Sequence, residues 1–335
     1  MKKQLLTLSI LLLMCFSLLG QSIHSPQEIF QIMEKSSISF ELSPLEVDIP
    51  VPDRSDKLNY NTQYRVEDSN GIVTYNYEIS EETKKYYDQA EKHFHNKDFV
   101  SARQMYLKAF ETDTTFFQVL TYVGQTFGIE KNFNEAINWY RKAIDLNYID
   151  YMAHWFLADA YKEIGELRKA VDEITIAMIL NRNNARIKKS FDNIYNLKRL
   201  KSPNWTFNPQ IKIDSTGVNK VRIAFKSEWM GYAMVKSLWM FEPNYKESMG
   251  IRGNSISTLE ERECFVSLMT TLDKKAVKNN PHFKALQKSI DKNMIDEFIF
   301  YEIVLLNHPF VAYHLDKNFI VSIKDYVIKI RSKIS

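Results

Sequence analysis

A spacing of 34 residues recurs through the middle of this 335-residue chain and constrains its fold more than any other feature. Small residues return at that interval in three parallel rows. The rows are Ala90, Gly124 and Ala158, then Ala102, Ala136 and Ala170, then Ala109, Ala143 and Ala177. Larger residues keep the same phase at Tyr106, Tyr140 and Ile174. Such a period predicts a stack of similar units, each of which buries its apolar face against its neighbours.

Each unit contains two helical patterns separated by a short polar turn. In the second of the three repeats, Leu120, Gly124 and Phe127 lie on the first helix, and Ala136 and Tyr140 lie on the second. This arrangement resembles the tetratricopeptide repeat (TPR) family, in which paired antiparallel helices cross closely at small residues. The resemblance implies an α-solenoid that binds partners with the concave face formed by the first, or A, helix of each repeat. We predict three repeats and a capping helix, at residues 83–116, 117–150, 151–184 and 185–201.

Residues 21–80 precede the repeats and have a different character. Ser25-Pro26-Gln27-Glu28 has the form of a capping box and predicts a short helix. Alternation of apolar and polar residues over 38–42 predicts extended structure. The turn-forming residues 68–71 lie between two further alternating stretches, which favours a β-hairpin. This segment either packs against the first repeat, which we favour, or forms a small domain of its own.

The repeat phase is lost after residue 202, and residues 203–335 predict a mostly helical C-terminal domain that resembles no family known to us. Strands are predicted at 211–214 and 221–225, and an apolar helix at 228–241. Ser257-Thr258-Leu259-Glu260 predicts a second capping box at the start of the helix that carries Cys264. The predicted fold class is therefore mainly α, with a short TPR-like solenoid, an extended or β N-terminal segment and a helical C-terminal domain.

The first twenty residues have the pattern of an export signal. Lys2 and Lys3 precede an apolar run over residues 5–19, which ends at Gly20 and Gln21. We expect cleavage after Gly20, and an uncleaved anchor is the alternative. The pattern resembles exported proteins of the Bacteroidetes group, which implies a periplasmic or secreted bacterial protein.

Composition excludes several classes of function for the mature chain. The formal charge of +3 includes Lys2 and Lys3, so the processed chain carries about +1, and we predict no nucleic-acid partner. Removal of the signal leaves Cys264 as the only cysteine, which rules out an internal disulfide bond. Charged residues interrupt the apolar stretch 294–313, so we predict no transmembrane helix in the mature chain.

The resemblance to TPR proteins assigns partner binding to the A-helix positions of each repeat. Acidic side chains at Asp88, Glu91 and Asp159 argue against a C-terminal carboxylate as ligand, because a carboxylate needs cationic and amide donors. A protein or peptide with apolar or basic groups fits better, and the chain's own N- or C-terminal region is the alternative occupant. The candidate partner-binding residues are Tyr87, Asp88, Glu91, His95, Gln118, Tyr122, Gln125, Met152, Trp155, Phe156, Asp159 and Lys162.

No catalytic motif is found among the titratable residues of the C-terminal region. The chain has no His-x-x-x-His or Gly-x-Ser-x-Gly motif, and its nine glycines leave little room for nucleotide-binding loops. We therefore expect no catalytic residues, metal or cofactor. The hypothesis is a non-catalytic adaptor or scaffold of the bacterial cell envelope. The alternative is a hydrolase-like enzyme with a C-terminal site, whose repeats recruit substrate. Its candidate residues are Glu228, Glu242, Glu261, Glu263, Cys264, Glu302, His308 and His314.

Overall fold

The computed structural model describes residues 23–68, 71–201, 203–251 and 257–334. The predicted signal peptide and its cleavage site lie outside these residues. Across the described ranges, no helix combines the length and apolar character that a bilayer crossing requires.

The described chain is mainly helical and contains five short strands. The elements before the repeats are α1 (Pro26–Lys35), β1 (Ser39–Pro44), β2 (Gln63–Asp68) and β3 (Gly71–Asn76). The repeats contain α2 (Glu81–His95), α3 (Phe99–Thr112), α4 (Gln118–Ile129), α5 (Phe133–Leu146), α6 (Tyr151–Glu163), α7 (Leu167–Leu180) and α8 (Ala185–Leu197). The elements after them are β4 (Ile211–Gly217), β5 (Lys220–Phe225), α9 (Met230–Phe241), α10 (Tyr245–Ser248), α11 (Leu259–Thr271), α12 (Lys274–Asn279), α13 (Pro281–Asp291), α14 (Ile295–Ile299), α15 (Leu305–Asn307) and α16 (Lys317–Lys329).

Two compact units share the chain, and both are discontinuous in sequence. The first unit contains Met1–Pro52 and Trp205–Ile299, and the second contains Asp53–Asn204 and Phe300–Ser335. The division does not coincide with the domain limits expected from sequence, because part of the N-terminal segment and the end of the C-terminal region pack with the repeats. Long-range strand pairing and buried side-chain contacts set these limits, and neither follows from a local sequence pattern.

The second unit is built around a TPR-like solenoid of three helix-turn-helix repeats, as predicted. The second, or B, helices α3, α5 and α7 begin at Phe99, Phe133 and Leu167, which keeps the 34-residue spacing. The turn before each B helix contains one residue with a left-handed backbone, at Lys97, Lys131 and Gly165. The same conformation returns at Arg199, directly after the capping helix α8. Helix α8 thus ends in the same kind of turn as the A helices.

The repeated small residues are where paired helices pack most closely. Ala90, Gly124 and Ala158 on the A helices are fully buried and follow the same 34-residue phase as Tyr106, Tyr140 and Ile174 on the B helices. A Cβ atom added at Gly124 would lie 2.6 Å from Cε1 of Tyr140. A van der Waals contact needs about 3.5–4.0 Å between carbons, so the tyrosine ring occupies the space that a side chain at 124 would need.

Two asparagines at the ends of B helices hold the N-terminal part of this unit. Asn147 donates from Nδ2 to the carbonyl of Gln63 (3.2 Å) and accepts from the amide of Arg65 (3.2 Å). Asn181 makes the same pair of bonds with the backbone of Asn59, at 2.9 and 3.1 Å. The predicted β-hairpin, β2 paired with β3, therefore lies along the loops that follow the B helices.

The C-terminal residues of the second unit surround a buried carboxylate. Glu302 lies in the π-helical turn Phe300–Val304 and accepts hydrogen bonds from Nε of Arg331 (2.7 Å) and the hydroxyl of Tyr326 (2.8 Å). The guanidinium of Arg182 lies over the ring of Tyr301, 4.0 Å from its centroid. These contacts attach residues 300–334 to the end of the third repeat.

A three-stranded sheet with helices forms the first unit. The strand order is β1-β5-β4, with β1 parallel and β4 antiparallel to β5, and both predicted C-terminal strands form. The predicted capping box of α1 also forms at Ser25 and Glu28. The box predicted at Ser257 does not. Thr258 takes the N-cap position without a side-chain bond, and Ser257 Oγ accepts from the amide of Leu259 instead (3.1 Å).

Candidate functional site

The A helices α2, α4 and α6 carry the twelve candidate partner-binding residues, and no member of the set is fully buried. Asp88 and His95 are exposed. The others are half-buried: Tyr87, Glu91, Gln118, Tyr122, Gln125, Met152, Trp155, Phe156, Asp159 and Lys162. Positions three and four residues apart on a helix share one face, so α6 presents Met152, Trp155, Phe156 and Asp159 together.

Tyrosines from neighbouring repeats form one cluster at the first half of the site. The ring centroids of Tyr87 and Tyr122 are 6.2 Å apart, and both rings lie near the buried Tyr106, at 6.3 and 5.6 Å. Phe116 packs edge-on against Tyr87 at 5.6 Å. Tyr106 was not among the candidate site residues, and its phase in the repeat is the signal that could have assigned it to the site.

Glu91 adds a carboxylate to this tyrosine cluster. The hydroxyl of Tyr106 donates to Oε1 of Glu91 at 2.5 Å. Burial, together with the Glu91 carboxylate, raises the pKa of Tyr87 to about 12. The same two causes raise the pKa of Tyr106. Both phenols therefore keep their protons well above neutral pH, and the Tyr106 proton is engaged by Glu91.

Two adjacent aromatic side chains dominate the third repeat. The rings of Trp155 and Phe156 have centroids 5.4 Å apart, and Phe156 also contacts Tyr140 at 5.9 Å. The indole Nε1 of Trp155 is buried, and no acceptor for it is found among the described residues. A buried N–H without an acceptor costs about 1–3 kcal/mol.

The polar end of the α6 face is engaged in local bonds. Asp159 accepts from Oγ of Ser190 on α8 at 2.8 Å and lies 3.5 Å from the ammonium of Lys162. Lys162 also pairs with Glu163 at 3.1 Å. His95 lies at the end of α2, where Nδ1 bonds the carbonyl of Glu91 at 2.7 Å. The candidate set therefore carries three carboxylates and one ammonium, an acidic balance.

A cleft of about 460 Å³ lies among α5, α6 and α7, and no sequence pattern predicted it. His154 is buried at this cleft, with Nδ1 2.6 Å from the carboxylate of Glu173 and Nε2 3.0 Å from the carbonyl of Tyr148. Nε of Arg141 donates to the hydroxyl of Tyr161 at 2.9 Å. Its polar side chains are thus largely bonded to one another.

Several titratable residues considered for catalysis have structural partners. Glu263 is fully buried and accepts from Nε1 of Trp239 (2.6 Å), the hydroxyl of Tyr245 (3.1 Å) and the amide of His24 (3.1 Å). Burial raises the pKa of the neighbouring Cys264 thiol well above its ordinary value, which disfavours the nucleophilic thiolate.

Two of the remaining catalytic candidates also bond nearby side chains. Glu261 accepts from Tyr232 (2.7 Å) and Lys236 (2.6 Å), and Glu242 accepts from Ser36 (2.5 Å). Burial lowers the pKa of His314. Among the described residues, no group of three or more His, Cys, Asp or Glu side chains could hold a metal ion.

Solved structures similar to this chain include TPR domains from several organisms. The Arabidopsis OM64 TPR domain is 14% identical, with 35% of this chain and 97% of that chain covered and a TM-score of 0.33. The Sgt2 TPR domain from Aspergillus fumigatus is 14% identical, with 42% and 93% covered and a TM-score of 0.34. The Yersinia enterocolitica type III secretion chaperone SycD, in complex with a peptide of the translocator YopD, is 18% identical, with 37% and 99% covered and a TM-score of 0.33.

No protein family matches the sequence, and no curated protein matches it either. The assignment of TPR-like repeats therefore rests on the helices themselves. Three helix pairs repeat at 34 residues, with the small and large residues of each pair buried in the same phase.

Proposed function

We propose that this protein is a non-catalytic adaptor that binds a protein or peptide on the concave face of its repeats. The observation that carries the proposal is the α6 surface, where the half-buried rings of Trp155 and Phe156 lie side by side. Aromatic side chains that remain partly exposed on a solenoid usually mark contacts with a partner.

The partner's chemistry follows from the charges around these rings. Asp88 is exposed, and Glu91 and Asp159 are half-buried, whereas Lys162 is the only cation in the candidate set and is already paired with Glu163. A peptide with an apolar or aromatic anchor next to lysine or arginine would complement this surface.

Intramolecular filling of the groove is the competing arrangement, and part of the N-terminal segment contacts the repeats. The hairpin β2–β3 contacts Phe116 and Phe117 in the loop between α3 and α4, through Tyr77 and Tyr64. The asparagine contacts at 147 and 181 also lie in loops. Tyr77 and Ile79 also pack against the core cluster that Tyr87 and Tyr122 contact, so the segment approaches the first half of the candidate site.

We place this adaptor in the bacterial envelope, as a periplasmic or secreted protein. The support is the N-terminal pattern of two lysines, an apolar run and Gly20-Gln21, which is typical of a cleaved signal. The measurement is the N-terminal sequence of the protein recovered from fractionated cells, in which a chain that begins at Gln21 in the periplasm or medium is expected.

The test of binding begins with a selection of peptides from a random library on the mature chain. The affinities of the selected peptides are then measured for the wild type, for a double variant of the site and for a control variant. Peptides with an aromatic or apolar anchor beside a basic residue are expected to be enriched. The double variant W155A/F156A should bind them at least about tenfold more weakly, the loss typical of an interface anchor. Phe310→Ala, which removes another exposed aromatic side chain of the same unit, is the matched control.

Two results would contradict the proposal. One is the absence of any enriched peptide, and the other is equal binding by W155A/F156A and wild type. A photo-crosslinking residue in place of Trp155 then identifies the occupant of the groove. Crosslinks within the chain would show that its own terminal regions fill the face. Circular dichroism of each variant confirms that the helices are retained.

A further inference from the structure

A lysine-rich helix pair in the first unit has no role in the proposed peptide site. Residues 273–292 contain six lysines and two aspartates, a net charge of +4, and neither arginine nor glutamate. The whole chain carries +3, so the rest of the sequence is slightly acidic. Positive charge is thus concentrated in twenty residues, although the overall composition gives no sign of it.

The fold arranges these lysines in rows on two consecutive helices. Lys274 and Lys278 lie four residues apart on α12, and Lys284, Lys288 and Lys292 continue the same spacing along α13. Residues four apart share one helix face. On α13 the opposite side is buried through Phe283 and Leu286. Lys284 is half-buried, and the other five lysines, including Lys275, are exposed.

The protein itself leaves this charge uncompensated. In the part of the chain that the structure describes, no carboxylate lies within 4.0 Å of any of the six ammonium groups. The two local aspartates have other partners, since Asp273 caps the amide of Ala276 (2.6 Å) and Asp291 accepts from Gln287 (2.8 Å). Like charges four residues apart on a helix are destabilising, so the rows carry a repulsion that no ion pair among the described residues offsets.

We propose that the lysine rows of α12 and α13 form a docking surface for an anionic lipid bilayer. All six cations are lysines, which act as flexible point charges, whereas arginine is the usual choice for a shaped carboxylate or phosphate pocket. A mostly exposed set of lysines complements a diffuse negative surface, where each lysine contributes additively. The proposal is independent of the peptide site on the repeats.

The test is sedimentation of the mature chain with vesicles of phosphatidylglycerol and phosphatidylcholine, compared with pure phosphatidylcholine vesicles. Binding only to the anionic vesicles is expected. The triple variant K284Q/K288Q/K292Q should bind them on the order of a hundredfold more weakly, because each lysine near such a surface contributes about fivefold. Glutamine preserves helix propensity, so the change is one of charge.

The matched control is K84Q/K85Q/K92Q, which removes the same charge from exposed lysines of α2 in the other unit. It should retain most of the binding. Binding should also fall steeply as salt rises from about 0.1 M to about 1 M, because the screening length shrinks from about 10 Å to about 3 Å.

Three outcomes would overturn the proposal. They are equal binding to neutral vesicles, an equal loss in the control variant, and tighter binding to poly-glutamate than to anionic vesicles. The last result would identify an acidic polypeptide as the partner of these lysines. Circular dichroism and thermal melting of both variants separate a loss of binding from a loss of fold.

Discussion

One residue in the turn after each A helix has a left-handed backbone, and its identity affects the stability of the repeat array. Lys97, Lys131, Gly165 and Arg199 all have φ between 59° and 81°. Glycine adopts this conformation freely, whereas other residues pay about 1–2 kcal/mol. Three of the four turns therefore carry a local strain that the surrounding helix pair maintains.

Replacement of Lys131 by glycine should stabilise the protein. The exposed Lys131 side chain lies in a turn with φ of 61°, so Lys131→Gly relieves backbone strain and should add about 0.5–1 kcal/mol to the free energy of unfolding. Urea denaturation followed by circular dichroism measures the change. Gly165→Ala is the reverse exchange in the next turn and should destabilise by about 1 kcal/mol. A loss of stability in Lys131→Gly would show that the lysine side chain has a role in the turn.

At the scale of helices, the close contact between α4 and α5 depends on the absence of a side chain at residue 124. Gly124→Ala would bring Cβ within 2.6 Å of the Tyr140 ring, so we expect destabilisation by about 1–3 kcal/mol from overpacking. Gly128→Ala on the same helix meets only the Tyr140 hydroxyl at 3.3 Å and is the matched control. Because alanine has a higher helix propensity than glycine, the free energy of unfolding of Gly128→Ala should equal or exceed that of the wild type. Thermal melting distinguishes the two, and equal melting temperatures would contradict the packing argument.

The elements that follow a local period were predictable from the sequence, and those defined by distant contacts were not. The repeats, the hairpin and strands β4 and β5 follow from spacing and alternation. The parallel partner of β5 is β1, which lies before the repeats, and no local pattern indicates that pairing. The capping box expected at Ser257 was wrong, since the helix begins after Thr258.

The candidate site was predictable in position but not in bonding. Helical spacing placed Trp155 and Phe156 together on α6, whereas the bond from Tyr106 to Glu91 joins two helices and needed coordinates. The lysine rows of α12 and α13 were missed because the overall charge conceals them. Charge summed over a chain says little about charge on one face of a helix.

At the scale of the whole molecule, the second unit depends on the end of the chain. Glu302, Tyr326 and Arg331 form a buried cluster that includes residues far from the repeats in sequence. A chain truncated after Ile299 loses these contacts and leaves Arg182 without the ring of Tyr301. We expect the free energy of unfolding of the repeats to fall by at least about 3 kcal/mol, the cost of removing buried aromatic side chains.

Differential scanning calorimetry measures the effect of this truncation. The melting transition of the repeats should fall by about 10 °C, because 1 kcal/mol corresponds to about 2–4 °C in a unit of this size. Glu302→Ala in the full chain isolates the buried cluster and should give a comparable shift in the same direction, because it leaves the buried Arg331 guanidinium without its carboxylate. An unchanged transition in the truncated chain would show that residues 300–335 are dispensable for the repeats.

The parallel pairing of β1 with β5 imposes an order on folding. A chain made from its N-terminus exposes Ser39–Pro44 long before Lys220–Phe225 exists, and the entire repeat array is synthesised in the interval. An unpaired strand is a template for aggregation, and β1 carries the charge of Glu41 and the interruption of Pro44, both of which oppose pairing with other chains. The repeat array can assemble through local contacts while β5 is still to be synthesised. The array is therefore expected to fold before the three-stranded sheet, although β1 of that sheet precedes the repeats in sequence.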